Sequence, residues 1–201
     1  MGADRIDSSN FTGAVEYLLQ VVEDSVEHQR ANAMLGSCFL ALERPDLAEN
    51  FLYTAVRVSN YTDEAAVSNL VQSLRLRGAL DLATDVLQKS LSKQESVSTG
   101  ILEFAMGEVL SSRQEYSEAA DWFLASALRQ PEQEEAWLHA STLHFPPTRQ
   151  NYSAAETVLT QALALLPSSA DLSFHMGGVY LCLSPPRPSY CHVYLCVCVL
   201  L

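Results

Sequence analysis

The sequence predicts an all-α chain built as a stack of antiparallel helix pairs, and two observations carry that prediction. The first is a recurrence: Ala14, Ala48, Ala83, Ala119 and Ala155 stand at intervals of 34, 35, 36 and 36 residues. The second is the apolar pattern attached to each alanine. Four residues on comes a large apolar side chain (Leu18, Leu52, Leu87, Phe123, Leu159), and three further on a smaller one (Val21, Ala55, Ser90, Ser126, Ala162). Steps of four and then three keep side chains on one face of a helix. A unit of about 34 residues holds two helices and a turn and cannot bury its apolar face alone, so neighbouring units must stack. The 201 residues, 48% of them hydrophobic, supply enough core for this, spread as a strip between units.

Residues 1–9 are expected to be disordered. Asn10-Phe11-Thr12-Gly13 reads as a turn, and residues 14–22 as one amphipathic helix ending near Glu23-Asp24, so 10–26 form half a unit. Full units are expected over 27–62, 63–96, 97–131 and 132–167. The first pairs helices 27–42 and 46–58 across Arg44-Pro45, where proline suits a first helical turn because its missing N–H is no loss. The second pairs 63–76 with 80–91, Thr62 serving as N-cap and Gly78 as the turn residue. The third pairs 97–111 with 117–129 and stops at Pro131. The fourth has helices near 134–144 and 153–166 and a longer turn over 145–152. Pro167-Ser168-Ser169 then opens a half unit, 168–183, with its first helix at 170–183.

Ser184-Pro185-Pro186-Arg187-Pro188 breaks the pattern, and the apolar, cysteine-rich 184–201 segment is expected to lie outside the repeat fold. The array thus begins in a second helix and stops after a first, and reads as truncated at both ends.

These residues resemble the tetratricopeptide repeat (TPR), whose 34-residue unit carries Trp-x2-Leu-Gly-x2-Tyr in its first helix, Ala-x3-Phe-x2-Ala in its second and Pro near its end. Leu35-Gly36-x2-Phe39 followed by Ala48, Leu52 and Ala55 fits, as does Met106-Gly107-x2-Leu110 with Ala119, Phe123 and Pro131. Trp137-x2-Ala140-Ser141-x2-His144 with Ala155, Leu159, Ala162 and Pro167 fits across the longer turn, and Met176-Gly177-x2-Tyr180 keeps the first-helix motif. The resemblance runs over about residues 10–183. It implies a right-handed superhelical solenoid whose first helices line a concave groove that takes an extended peptide or a partner's helix. Gly36, Gly107, Ser141 and Gly177 are expected to face the small residues Ala48, Ala119 and Ala155 of the partner helix, so that the two backbones approach.

In that family, positions 2, 5, 9, 12 and 13 of each first helix line the groove. The resemblance therefore assigns groove roles to Arg30 and Ser37 in the first full unit and to Gln72 and Arg75 in the second. It adds Phe104 and Glu108 in the third, Glu135, Leu138 and Thr142 in the fourth and Asp171 and Phe174 in the fifth. Members that clamp a peptide's terminal carboxylate use Lys, Asn and Arg at set places. Only Asn69 matches here, with Ala33, Ser37, Ile101 and Ala105 standing at the others. An anion needs those fixed donors. An asparagine ladder at position 6 is also missing, since that position reads Met34, Asn69, Ala105, His139 and His175. The preferred expectation is a neutral or weakly basic segment held by Phe104, Leu138 and Phe174 and oriented by Gln72 and Arg75. The alternative is that these apolar groups pack on neighbouring helices.

Several chemistries are excluded or left without support. A net charge of −12 opposes binding to phosphate backbones, which requires clustered Lys and Arg, so nucleic acid is not an expected partner. His139 and His144 are five apart, about 140° around a helix, and cannot share a metal. Glu134-Glu135 and Asp63-Glu64 sit in first turns and complement helix dipoles. Cys38 reads as a small buried hydrophobe, and the sequons at Asn10, Asn60 and Asn151 as turn asparagines. No cofactor, metal or small-molecule substrate is expected. Residues 1–10 lack the pattern of a secretory signal, and Ile6 spoils a myristoylation motif, so a cytoplasmic protein, with the nucleus open, is expected.

The terminal Cys198-Val199-Leu200-Leu201 has the form of a prenylation box, and Cys196 could take a palmitate, which would put the chain on a membrane. The functional expectation is a non-catalytic scaffold binding a protein or peptide in its groove. Two alternatives stand beside it: the repeat arm of a larger enzyme such as a glycosyltransferase, and a prenyl-anchored adaptor.

Overall fold

The computed structural model describes residues 4–24, 28–93, 100–144 and 151–183, with side chains in the first helix from 11 to 22. Among the described residues there are ten α-helices and no strand: α1 (Asp4–Asp24), α2 (Gln29–Ala41), α3 (Pro45–Val58), α4 (Glu64–Leu76), α5 (Leu80–Lys93), α6 (Ile101–Ser112), α7 (Tyr116–Arg129), α8 (Glu134–Thr142), α9 (Tyr152–Leu165) and α10 (Ala170–Leu183). The chain divides into two compact units, residues 1–105 and 106–201, the division falling inside α6.

In the first unit each helix packs on the next from α1 to α5, and α2 also touches α4, the first helix of the following pair. Three residues, Leu42 to Arg44, connect α2 to α3, a link so short that the chain must reverse. Ala48, Ala55 and Ala83 are wholly buried, as are Leu35, Leu52, Leu70, Leu74 and Leu87 around them. Helix ends are capped locally. The His28 side chain accepts from Ala31 N–H, and Asp63, one residue beyond the expected Thr62, accepts from Ala66 N–H.

Within the pairs one turn recurs. Glu43 (φ 57°), Gly78 (φ 76°) and, in the second unit, Gln114 (φ 66°) all take left-handed backbone. In each case the next residue's N–H reaches back to the helix: Arg44 to Phe39 C=O, Ala79 to Leu74 C=O and Glu115 to Leu110 C=O. This is a Schellman closure, which satisfies carbonyls that the helix end would leave open. Buried serines tie successive repeats together. Ser73 Oγ donates to the Pro45 carbonyl at 2.8 Å and Ser90 Oγ to the Tyr61 carbonyl at 2.7 Å.

In the second unit α7 packs on α8, α8 on α9 and α9 on α10, with α8 and α10 also in contact. Phe123, Trp137, Leu159 and Leu172 fill this core. The buried Trp137 indole N–H donates to the Pro131 carbonyl at 3.1 Å, so its polar atom is satisfied.

Two expectations are corrected. Helix α1 begins at Asp4, in place of a disordered 1–9 and a turn at 10–13. No proline interrupts this stretch, and a lone glycine such as Gly13 costs a helix only about 1 kcal/mol. Ala14 is half-buried here, whereas its four successors are wholly buried. The second correction concerns the small first-helix residues. Gly36 faces the large Leu52, where an added Cβ would come within 2.2 Å of the side chain, and Gly107 faces the ring of Phe123 at 2.9 Å. Glycine makes the hole that the large residue of the second helix fills, and the alanines pack elsewhere on that helix. Gly177 has open space instead. The 184–201 segment that follows its helix, expected to lie outside the repeat fold, is outside the described residues.

Candidate binding cleft

The groove residues assigned by sequence fall into two groups. In the first unit, Arg30 and Ser37 are exposed on α2, Gln72 is exposed on α4, and Asn69 and Arg75 are half-buried there. Asn69 Nδ2 donates to Ser37 Oγ at 2.9 Å, and Ser37 Oγ donates to the Ala33 carbonyl at 3.0 Å, so this face of α2 and α4 forms one polar strip. Phe104 is half-buried on α6. In the second unit, Glu108 is half-buried on α6, whereas Leu138 and Phe174 come together.

Leu138 and Phe174 line a cleft of about 360 Å³ between α8 and α10, along with Glu135, His139, Thr142, Asp171 and His175. The repeat explains the convergence. Residues 138 and 174 are 36 apart, as are 139 and 175, so each pair takes the same place on adjacent first helices. The two helices are tied at their N-terminal ends, where Ser169 Oγ donates to the Glu134 carboxylate and accepts from Leu172 N–H at 3.0 Å. An equivalent tie in the first unit runs from Gln29 Nε2 to Asp63 Oδ2 at 2.9 Å.

The walls of the cleft differ in chemistry. Phe174 is 51% exposed, a large aromatic face open to solvent. His139 stacks on Phe123, with ring centroids 4.9 Å apart and planes at 19°, and its Nε2 lies 3.8 Å from Glu135 Oε1. His175 stands edge-on to Phe174 at 5.8 Å. Burial pushes the His175 pKa down, against an opposing pull from the Asp171 carboxylate, so its imidazole is neutral at pH 7. The Thr142 hydroxyl donates to the His139 carbonyl at 3.2 Å.

Position in the repeat places Glu135, Leu138, Thr142, Asp171 and Phe174 in the groove, but gives His139 and His175 only as places where a ladder asparagine is missing. The signal was present in the spacing: two imidazoles, each beside a groove residue, at the repeat interval.

Other candidates resolve simply. Cys38 is buried and its thiol pKa is raised by that burial, which disfavours the nucleophilic thiolate. Asn60 sits in a left-handed turn, and Asn151 caps α9 by accepting from Ala154 N–H. Among the described residues no group of three or more His, Cys, Asp and Glu side chains is placed to hold a metal ion. Nor is any described helix long and apolar enough to cross a membrane. Cys196 and Cys198, with the lipidation expected of them, lie outside the described residues.

Residues 1–65 match the tetratricopeptide repeat family. The fold of the chain is similar to that of solved structures carrying the same repeat. MamA aligns with a TM-score of 0.67 at 17% identity, covering 85% of this chain and 97% of that one. YrrB, described as a TPR protein with an unusual peptide-binding site, aligns at 0.61 and 15% identity, over 83% and 84% of the two chains. In the hetero-tetramer Cut9–Hcn1 of APC/C, the matched chain aligns at 0.65 and 18% identity, over 96% of this chain and 37% of that one. No curated protein sequence matches this chain. The family match thus covers residues 1–65, and the described chain has the TPR fold.

Proposed function

We propose that the protein is a non-catalytic interaction scaffold and that the α8/α10 cleft seats part of an extended peptide or helix from a protein partner. The observation that carries this reading is the exposed Phe174 ring facing Leu138 across a concave space between two first helices. A large aromatic left open in a concave site is the kind of anchor around which binding energy concentrates. The peptide-binding description of YrrB and the protein complex formed by Cut9 and Hcn1 accord with it. In the first unit, the polar strip of Ser37, Asn69 and Gln72 is suited to hydrogen-bond a peptide backbone, and Arg30 and Arg75 to orient one. Phe104 and Glu108 are assigned groove places by their positions on α6, the first helix of the third repeat.

The test is selection of a random peptide display library on the full chain. Peptides whose binding is lost in Leu138→Ala and Phe174→Ala, with melting temperature retained, support the proposal. Binders indifferent to both changes would sink the assignment of this cleft.

A further inference from the structure

We infer that the α8/α10 cleft takes a cationic side chain, arginine or lysine, borne on a partner segment with an apolar residue beside it. This rests on the reading of the cleft as a partner site and names what the site selects.

Charge is the first ground. Two of the seven lining residues, Glu135 and Asp171, are carboxylates, and none is lysine or arginine. Each carboxylate projects from the first turn of its own helix, one from α8 and one from α10, so they flank the space. An anionic guest would meet both, whereas a cation is attracted by both. The hydroxyl of Thr142 points the same way. The Thr142 hydroxyl has committed its proton to the His139 carbonyl and can offer a guest only an acceptor. Arginine and lysine are pure donors and suit the acceptors of Glu135, Asp171 and Thr142.

The aromatic walls are the second ground. A guanidinium or ammonium is drawn to the face of an aromatic ring, and the Phe174 ring is half open. The His175 ring beside it, kept neutral by burial, adds an aromatic edge without adding positive charge that would repel the guest. Leu138 supplies an apolar surface along which the aliphatic stem of either side chain can lie. The same surface explains the apolar neighbour on the partner segment. The chain as a whole carries a net charge of −12, which raises the encounter rate with a cationic segment.

The experiment is the same display selection on the full chain, read for composition and followed by titration of selected peptides. Expected is an enriched Arg or Lys at one position with an apolar neighbour. For those peptides Kd should rise about two- to fivefold in Glu135→Gln and again in Asp171→Asn, the range for exposed charge pairs. Added salt should weaken wild-type binding and leave the doubly neutralised variant little changed. Glu135 and Asp171 are exposed, so their neutral isosteres keep the fold. Peptides that depend on Leu138 and Phe174 but carry no enriched cation, or that bind equally to the doubly neutralised variant, would overturn the inference and leave the partner site standing. A selection yielding no peptide dependent on Leu138 or Phe174 would overturn both.

Discussion

Gly107 lies directly beneath the ring of Phe123, with three ring atoms 2.9 Å from where a Cβ would stand. Contact this close leaves no room for even one methyl group unless the phenylalanine shifts within a buried core. Gly107→Ala should therefore lower stability by about 1–3 kcal/mol, the usual cost of overpacking. Gly36→Ala, set against Leu52, should do the same. The internal control is Gly177, whose added Cβ meets nothing within 4 Å. There alanine should be neutral or should gain up to about 1 kcal/mol from helix propensity. Urea melts of the three variants check the ranking, and equal losses at all three would contradict it.

The left-handed turn makes a prediction of opposite sign at two equivalent places. Gly78→Ala should cost about 1 kcal/mol, because a side chain at φ 76° crowds the backbone. Gln114→Gly, at φ 66° in the corresponding turn, should gain up to about that amount, less the entropy glycine returns to the unfolded chain. Thermal denaturation of both variants is the measurement.

The buried serine ties should be felt beyond their own helices. Ser90→Ala and Ser73→Ala each remove a hydroxyl that donates to a carbonyl about one repeat earlier in the chain. Each should cost about 1 kcal/mol. Amide hydrogen exchange should rise in the turn at Tyr61 for the first variant and near Pro45 for the second, and a rise confined to the mutated helix would argue against the tie.

Acid should weaken the fold through His175. Its pKa in the folded chain is depressed by burial, so the unfolded chain takes up the proton first as pH falls. Stability is full above the ordinary histidine value and is lost progressively below it, down to the lowered folded value. Melting temperatures at neutral pH and at pH about 5 should differ more in the wild type than in His175→Asn. Equal differences would show that His175 contributes nothing to the acid sensitivity.

Much of the fold was legible because a recurring small residue followed at four and seven by apolar ones reports helix faces without any tertiary information. Ala48, Ala83, Ala119 and Ala155 are all wholly buried. The start of α1 was not legible, since Asn10-Phe11-Thr12-Gly13 is turn-like locally and the helix continues through it. The partner of Gly36 was misjudged for a different reason. Sequence spacing says which residues share a face, whereas which of them meets a glycine across the interface depends on how two helices cross. The cleft was half legible: Leu138 and Phe174 follow from position in the repeat, but His139 and His175 join them only once α8 and α10 lie side by side. Glu135 and Asp171 also follow from position in the repeat, but that they line one space becomes visible only once their helices are neighbours.

The recurring turn at Glu43, Gly78 and Gln114 closes three of the described pairs, α2/α3, α4/α5 and α6/α7, through main-chain atoms alone, with three different residues at the left-handed position. Frame and specificity are thereby written in separate media. The reversal between helices is held by amides and carbonyls that every sequence possesses, while the side chains that meet a ligand sit on the helices and are not needed for that closure. Exchanging exposed helix residues such as Glu135 or Phe174 therefore leaves the main-chain closure of these turns untouched, which makes the chain a suitable chassis for designed binders.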